Sequence, residues 1–221
     1  MFSSFLRQME ECRNPENAAA MKKYMKNLFP FIGIKAPERK KLSKSFIQEL
    51  CAVEDFEPYV LNLWEMPERE YQYVAVDFLV KMKKHLDESH VDLLENLILT
   101  KSWWDTVDPI ASQLVGAVFS KSPELVQSRG TDWGNSENIW LQRSMILFQL
   151  KYKEKTDKEL LFSIIERTKH TEEFFIQKAI GWALREYSKT NPAEVVRFIE
   201  SRSLSNLARK EGLKHLQKVG L

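Results

Sequence analysis

The stretch WLQRSMILFQL, residues 140–150, has a close counterpart in FIQKAIGWAL, residues 175–184. In both, a glutamine followed by a basic residue comes two residues after an aromatic, and the two glutamines, Gln142 and Gln177, are 35 residues apart. Apolar residues recur in both stretches at spacings of three and four, which is typical of helices that bury one face. Similar helices at this interval predict a repeat built from helix pairs.

The same interval connects a row of polar positions along the chain. A step of 35 residues back from Arg143 reaches Asp108, a second step reaches Tyr73, and a step forward reaches Lys178. We call these four residues the polar row, and in a stacked repeat protein they would lie next to one another. Three residues after each member stands a small or apolar residue that is expected to pack between helices: Val76, Ala111, Ile146 and Gly181. The last helical stretch, LARKEGLKHLQK, fits the interval only with a shift of about three residues.

The rest of the chain also has helical periodicity, and no long stretch alternates as a strand would. Only seven glycines and eight prolines occur in 221 residues, and the breaks between helices are short. The Trp, Gly and Tyr consensus of tetratricopeptide repeats is missing. The sequence therefore predicts an all-α fold, a HEAT-like α-solenoid of antiparallel helix pairs with a concave groove, formed by a single domain over residues 1–221.

The distribution of charge favours an anionic partner for the second half of the chain. Residues 1–110 carry 15 Lys and Arg against 18 Asp and Glu, a net charge of −3, whereas residues 111–221 carry 18 against 13, a net charge of +5. No run of 18 apolar residues occurs, and charged residues interrupt the opening segment. We therefore expect a cytoplasmic protein without a membrane segment. Isolated cysteines and histidines without ligand spacing lead us to expect no metal.

Two pairs of residues at helical spacing point to a site. Trp104 precedes Asp108 by four residues and Trp182 follows Lys178 by four, so each indole shares a helix face with a member of the polar row. Pro109 favours a helix that begins close to Asp108 and leaves Trp104 in the preceding turn.

Each of these residues also has a purely structural interpretation. Asp108 can be a helix N-cap followed by proline at the first helical position. Trp182 can be ordinary packing after Gly181. Arg143 lies in an otherwise apolar helix and needs a partner there, and Asp108, one repeat earlier, is the natural candidate.

The remaining polar residues are open to similar alternatives. Lys178 and Arg185 can contact phosphates or face solvent, and Asp105 can be a cap or a surface charge. Trp103, which points about 100° away from Trp104 on a helix, is assigned to the core. The lysine-rich runs RKKLSK, KMKKH and KYKEKTDK, at residues 39–44, 81–85 and 151–158, are interpreted as solvated outer faces.

The chemistry of these residues fits a partner that carries both phosphates and a cation. A carboxylate beside indole faces attracts a cation, and arginine and lysine attract phosphate oxygens. DNA with an alkylated, positively charged purine supplies both groups. Loss of that purine gives the sugar oxocarbenium character, which a carboxylate stabilises while it orients or deprotonates water.

Four long runs resemble one known family. SWWDTVD at residues 102–108, NIWLQRSMILFQLKYK at 138–153, EFFIQKAIGWALREYSKTNP at 173–192 and YMKNLFPFIGIKAPER at 24–39 are similar to DNA alkylation repair glycosylases of the AlkD type. The resemblance extends over essentially the whole chain. It implies a HEAT-like solenoid around duplex DNA and a monofunctional glycosylase that releases N3- and N7-alkylated purines without metal or cofactor.

The resemblance also implies roles for individual residues. By position, Asp108 would be the catalytic carboxylate, and Trp104 and Trp182 the aromatic walls of the site. Arg143 would contact the DNA backbone and orient Asp108, and Tyr24 falls on a family motif near the lesion. The competing hypothesis is a HEAT-like scaffold that binds nucleic acid or protein without chemistry. We further expect a monomer, and recognition of the lesion at the groove wall with little or no extrusion of the base.

Overall fold

The computed structural model describes residues 1–220, and within them the regular secondary structure is helical, with no strand. The predicted all-α fold is confirmed. The α-helices are α1 (Phe2–Glu11), α2 (Pro15–Tyr24), α3 (Ala36–Leu50), α4 (Glu57–Glu65), α5 (Arg69–Met82), α6 (Val91–Leu99), α7 (Trp104–Pro109), α8 (Gly116–Lys121), α9 (Glu124–Gln127), α10 (Arg129–Asn135), α11 (Ile139–Leu147), α12 (Lys158–Thr168), α13 (Phe174–Tyr187), α14 (Pro192–Ser201) and α15 (Asn206–Lys218). Short 3₁₀ turns occupy Glu88–His90, Phe148–Lys151 and Lys153–Lys155, and a π-helical segment occupies Ile110–Val115. None of the helices within residues 1–220 has the length and apolar content required to cross a bilayer.

The chain divides into two compact units, Met1–Met82 and Lys83–Leu221. Each unit has its own buried apolar residues. The expectation of a single domain over the whole chain stays a prediction.

The first unit contains α1 to α5, with α3 packed against α1 and α5. Phe5 of α1 stacks on Phe46 of α3 with ring centroids 4.3 Å apart, and Tyr71 of α5 meets Phe5 edge to face. Burial of a large apolar side chain contributes about 1.5–3 kcal/mol to the free energy of folding. The packing of these rings therefore holds the three helices together.

A buried carboxylate fixes the loop between α2 and α3. Glu70 is fully buried and accepts hydrogen bonds from the backbone N–H groups of Ile32, Gly33 and Ile34 at 2.8–3.1 Å. Gly33 has φ +99°, and a Cβ at this position would lie 2.1 Å from the carbonyl oxygen of Asn14. The close approach of the two backbones therefore requires glycine at this position.

The second unit contains a stack of helices at the predicted interval. The π-helical segment packs on α11, α11 on α13, and α13 on α15. The contact between α13 and α15 is close enough that a Cβ on Gly181 would lie 2.3 Å from Cβ of Glu211. The small or apolar row is buried as predicted: Val76, Ala111, Ile146 and Gly181. This succession of stacked helices is consistent with an α-solenoid.

The repeated glutamine has a structural role that explains its interval. In each case its side-chain amide donates to the backbone carbonyl six residues earlier, in the turn before the helix: Gln72 to Met66, Gln142 to Ser136 and Gln177 to Thr171, at 2.6–2.7 Å. These bonds satisfy carbonyl groups at the turn of each helix pair. The glutamines therefore mark the repeat because each one holds the turn of its own pair.

Candidate functional site

The helix that carries Asp108 begins earlier than expected. α7 starts at Trp104, with Trp103 as its N-cap residue, so Asp108 lies inside the helix and is not the N-cap. The prediction of a helix starting near Asp108 is wrong, as is the cap interpretation. Pro109 lies in the helix interior, where it has no N–H to donate, and the chain continues directly into the π-helical segment. A π-helical turn absorbs such an interruption without ending the helix.

This local geometry places Trp104 and Asp108 on one continuous turn. The two residues are four apart within α7, and both are partly exposed. The hydroxyl of Ser112, in the π-helical segment, donates to the carbonyl oxygen of Asp108 at 2.7 Å. The carboxylate of Asp108 therefore projects from a backbone that is fixed on its C-terminal side.

Asp108 and Arg143 form a two-point ion pair. Nε of Arg143 donates to Oδ1 of Asp108 at 2.7 Å, and Nη2 donates to Oδ2 at 2.8 Å. The Arg143 side chain is 1% exposed, whereas that of Asp108 is 18% exposed. The pairing predicted from the 35-residue interval is confirmed. The guanidinium lies behind the carboxylate, and the carboxylate is the group that an incoming molecule meets.

Burial has the largest effect on the acidity of this carboxylate. It raises the pKa of Asp108 above its ordinary value, the hydrogen bonds and charge of Arg143 oppose that rise, and the charge of Asp105 adds to it. A partly desolvated carboxylate, even when paired with an arginine, interacts more strongly with a cation near it than a fully hydrated one does, because less water screens the two charges. The site is therefore suited to a cationic group.

Arg143 is held on two further sides. Its Nη1 donates a short hydrogen bond to the backbone carbonyl of Phe175, and its Cζ lies 5.2 Å from the centre of the Trp182 ring. Phe175 in turn contacts Trp103 and Trp140, with centroids 4.9 and 5.0 Å away. Trp103 thus packs in an aromatic cluster with Phe175 and Trp140, but it is only partly buried, so its assignment to the core is met in part.

The structure brings Asp108, Arg143 and Trp182 together directly. Trp104 stands one turn before Asp108 on the same helix, and Trp182 stands one turn after Lys178 on α13. Both indoles are partly exposed, so each has part of its surface available to a ligand.

Lys178 and Arg185 form ion pairs with the carboxylate of Glu211, which was not predicted from the sequence. Glu211 of α15 accepts from Nζ of Lys178 at 2.7 Å, from Nη1 of Arg185 at 3.3 Å and from Nζ of Lys214 at 2.6 Å. Burial disfavours its charge, but the hydrogen bonds from Lys178 and Lys214 prevail and lower the pKa of Glu211 to about 2. Glu211 follows Lys178 by 33 residues, which is close to the repeat interval and is the signal that could have identified it.

Tyr24 belongs to the first unit and ends α2. Its side chain is 71% exposed, the largest exposure among the large apolar and aromatic residues there. A tight turn with left-handed backbone at Lys26 and Asn27 follows it, and this turn leaves Leu28 51% exposed as well. Much of the Tyr24 ring surface is therefore exposed to solvent.

The described residues contain no group of three His, Cys, Asp or Glu side chains placed to hold a metal ion. Cys12 and Cys51 are both unbridged and partly buried. The contacts described above bring together one carboxylate, one guanidinium and an indole ring.

Comparison with known proteins places this chain in a family. The family model described as DNA alkylation repair enzyme matches residues 5–216. A solved structure described as a predicted DNA alkylation repair enzyme from Enterococcus faecalis is 39% identical in sequence and superposes with a TM-score of 0.86, covering 93% of this chain and 97% of that one. Among curated proteins no match is found. This chain and the Enterococcus faecalis chain share the same fold over nearly their full lengths.

Proposed function

Because this chain belongs to the family of DNA alkylation repair enzymes, we propose that it is a DNA glycosylase that hydrolyses the N-glycosidic bond of N3- and N7-alkylated purines in duplex DNA. The observation that supports this most directly is the partly exposed side chain of Asp108, whose carboxylate is paired with the buried guanidinium of Arg143. Such an arrangement presents fixed negative charge in the place where a substrate can reach it.

The proposed role of Asp108 follows from the charge that develops during the reaction. An alkylated purine is cationic and leaves as a neutral base, so the sugar acquires oxocarbenium character as the bond breaks. A preorganised carboxylate next to that sugar stabilises its positive charge and orients or deprotonates the attacking water. Arg143 fixes both oxygens of Asp108 and so removes the reorganisation that a mobile side chain would need.

Trp104 and Trp182 are proposed as the aromatic walls of the site. The faces of an indole carry negative quadrupole potential and attract a cationic base by about 0.5–2 kcal/mol, depending on desolvation. Recognition of this kind needs no deep pocket, and we propose that the lesion is read at the wall of a concave groove without full extrusion of the base. Tyr24, with its exposed ring, is proposed to contact DNA near the lesion.

Lys178 and Arg185 are proposed as contacts to the DNA backbone, in competition with Glu211. Both cations would exchange part of their ion pairing for phosphate oxygens when DNA binds. The chemistry assigned to Asp108 and water requires no metal or cofactor, and one copy of the chain supplies every group named. The protein is accordingly proposed to act on DNA in the cytoplasm as a monomer.

The test is release of free base from duplex DNA that carries 7-methylguanine, measured by chromatography for the wild type and for Asp108→Asn. We expect release by the wild type and a loss of at least about a hundredfold in the variant, equal to about 2.7 kcal/mol of transition-state stabilisation. Asp105→Asn is the comparison variant, because it removes a neighbouring carboxylate on the same helix and leaves both hydrogen bonds between Arg143 and Asp108 in place.

The same experiment separates the glycosylase from a non-catalytic scaffold. DNA binding, measured in parallel by fluorescence anisotropy, should be retained by Asp108→Asn. Binding without base release by the wild type would reject the glycosylase and leave a DNA-binding scaffold. Absence of DNA binding by the wild type would reject both and leave a solenoid that binds protein.

A further inference from the structure

A basic pocket lies along the part of the chain that follows Asp108 and α7. Beyond the π-helical segment, a pocket of about 320 Å³ is lined by residues of the π-helical segment and α8, by Tyr152, and by Lys83, Lys84, Lys121 and Lys151. No Asp or Glu is found among the residues described as lining it. We call it the lysine pocket.

The lysine pocket continues the face of the helix that carries the candidate site. Ser112 and Gly116 line it and follow Asp108 at steps of four residues. The chain between them is the π-helical segment, which takes more residues per turn than an α-helix, so steps of four stay close to one face. Eight residues at no more than about 1.5 Å each put Gly116 within about 12 Å of Asp108 along the helix.

Three of the four lysines have ammonium groups available to a ligand. Lys121 is committed to the structure, since its Nζ donates to the carbonyl oxygens of Lys84 and Leu86 at 2.7 and 2.6 Å. None of the ion pairs found within residues 1–220 uses Lys83, Lys84 or Lys151. Three unpaired cations around a pocket with no carboxylate give it a positive potential that favours an anion.

Lys178 and Arg185, which were expected from the sequence to bind phosphates, already have a carboxylate partner. Glu211 accepts from both Lys178 and Arg185, and their positive charge is partly compensated before any DNA arrives. Lys178 and Arg185 could bind phosphate fully only if they gave up their ion pairs with Glu211. The unpaired lysines of the pocket have no such competitor.

We propose that the lysine pocket binds a backbone phosphodiester of the DNA whose damaged base lies at Asp108. This inference rests on the proposed function, because that function supplies the polyanion. A distance of up to about 12 Å corresponds to at most three or four nucleotides of one strand, at about 3.4 Å per nucleotide along the duplex axis. The pocket positions the duplex without reading its sequence. The runs at residues 81–85 and 151–158 are then part of a binding surface and are not merely solvated faces.

The first test compares the salt dependence of binding for two triple variants of equal charge change. Lys83→Gln, Lys84→Gln and Lys151→Gln are combined in the pocket variant. The control variant combines the same substitution at three exposed lysines of α3: Lys40, Lys41 and Lys44. Affinity for an undamaged fluorescent duplex is measured by anisotropy over a series of salt concentrations. Thermal unfolding of all three proteins verifies that they are folded.

We expect the pocket variant to bind at least about tenfold more weakly at low salt. The slope of log Kobs against log salt should fall in magnitude by about 1 or more, since each phosphate contact contributes about 0.9 to it. The control variant should keep a slope close to that of the wild type. Equal losses in the two variants, or no loss in the pocket variant, would overturn the inference.

The second test locates the phosphate. A neutral methylphosphonate replaces one phosphodiester at a time, at increasing distance from a single 7-methylguanine. We expect one position, within about four nucleotides of the lesion, to weaken binding by the wild type but not by the pocket variant. Equal weakening of both proteins at every position would refute the assignment.

The proposed function can fail independently of this inference. Base release by the wild type from duplex DNA with 7-methylguanine tests the glycosylase, and the salt dependence of binding by the pocket variant tests the lysine pocket. Absence of base release by the wild type would reject the glycosylase, while a selective loss of salt dependence in the pocket variant would still support a phosphate site. Base release together with unchanged salt dependence would reject the pocket alone.

Discussion

Replacement of Arg143 by methionine should show how much the ion pair between Arg143 and Asp108 contributes to the free energy of unfolding. Methionine fills much of the arginine volume but removes two hydrogen bonds to Asp108, at 2.7 and 2.8 Å, and one to the carbonyl of Phe175. Loss of one partner of a buried pair costs about 3–5 kcal/mol. Because the Asp108 side chain is 18% exposed and regains some water, we expect a smaller loss of about 2–4 kcal/mol in the free energy of unfolding.

A double-mutant cycle separates the ion pair from the other effects of the substitution. Urea unfolding is measured for Arg143→Met, Asp108→Asn and the double variant. Once Asp108 is an amide, loss of the guanidinium no longer strands a carboxylate, so the double variant should be more stable than the sum of the single effects predicts. We expect a coupling energy of about 1.5–3 kcal/mol. Additive effects, within about 0.5 kcal/mol, would refute the argument that the pair fixes the carboxylate.

Three further outcomes follow from contacts of the second unit. Burial raises the pKa of Asp108, so enzymatic base release should fall as pH decreases through a midpoint above the ordinary 3.8, measured by single-turnover rates with the spontaneous release subtracted; a midpoint at or below that value would contradict the role given to burial. Glu211→Gln should lower the free energy of unfolding by about 1–3 kcal/mol and steepen the salt dependence of DNA binding by freeing Lys178; an unchanged slope would mean that this cation does not reach phosphate. Gln177→Ala should lower the free energy of unfolding by about 1–3 kcal/mol in urea, because two carbonyls of the turn lose their donor, whereas the exposed Gln127→Ala should change it by less than about 0.5 kcal/mol.

The sequence predicted the pairing at the site because that pairing depends on a repeat interval. Asp108 and Arg143 are 35 residues apart, and equivalent positions of stacked helices lie next to each other whatever the details of the turns between them. The interval alone did not give the partner of Lys178. Glu211 lies two residues short of it, and the helix that carries Glu211 approaches α13 closely because Gly181 has no side chain.

The local shape of the backbone around Pro109 was the part that sequence reasoning missed. Proline is common in the first turn of a helix, so the expected helix began near Asp108. In the structure the helix begins at Trp104 and continues past Pro109 through a π-helical segment. The energy that decides between these two outcomes comes from tertiary burial of residues such as Val107 and Ile110, which local propensity does not include.

The third hydrogen bond of Arg143 has a consequence for how this chain can change during evolution. One guanidinium joins the carboxylate of α7 to a backbone carbonyl of α13 while it is itself carried by α11, so it ties three successive layers of the stack. Repeat proteins commonly lengthen or shorten by gain or loss of whole repeats, since each repeat contacts only its neighbours. A repeat inserted on either side of α11 would separate Arg143 from one of its partners. Growth of the array is therefore compatible with an intact site only outside this three-layer block, and the block should be inherited as one piece.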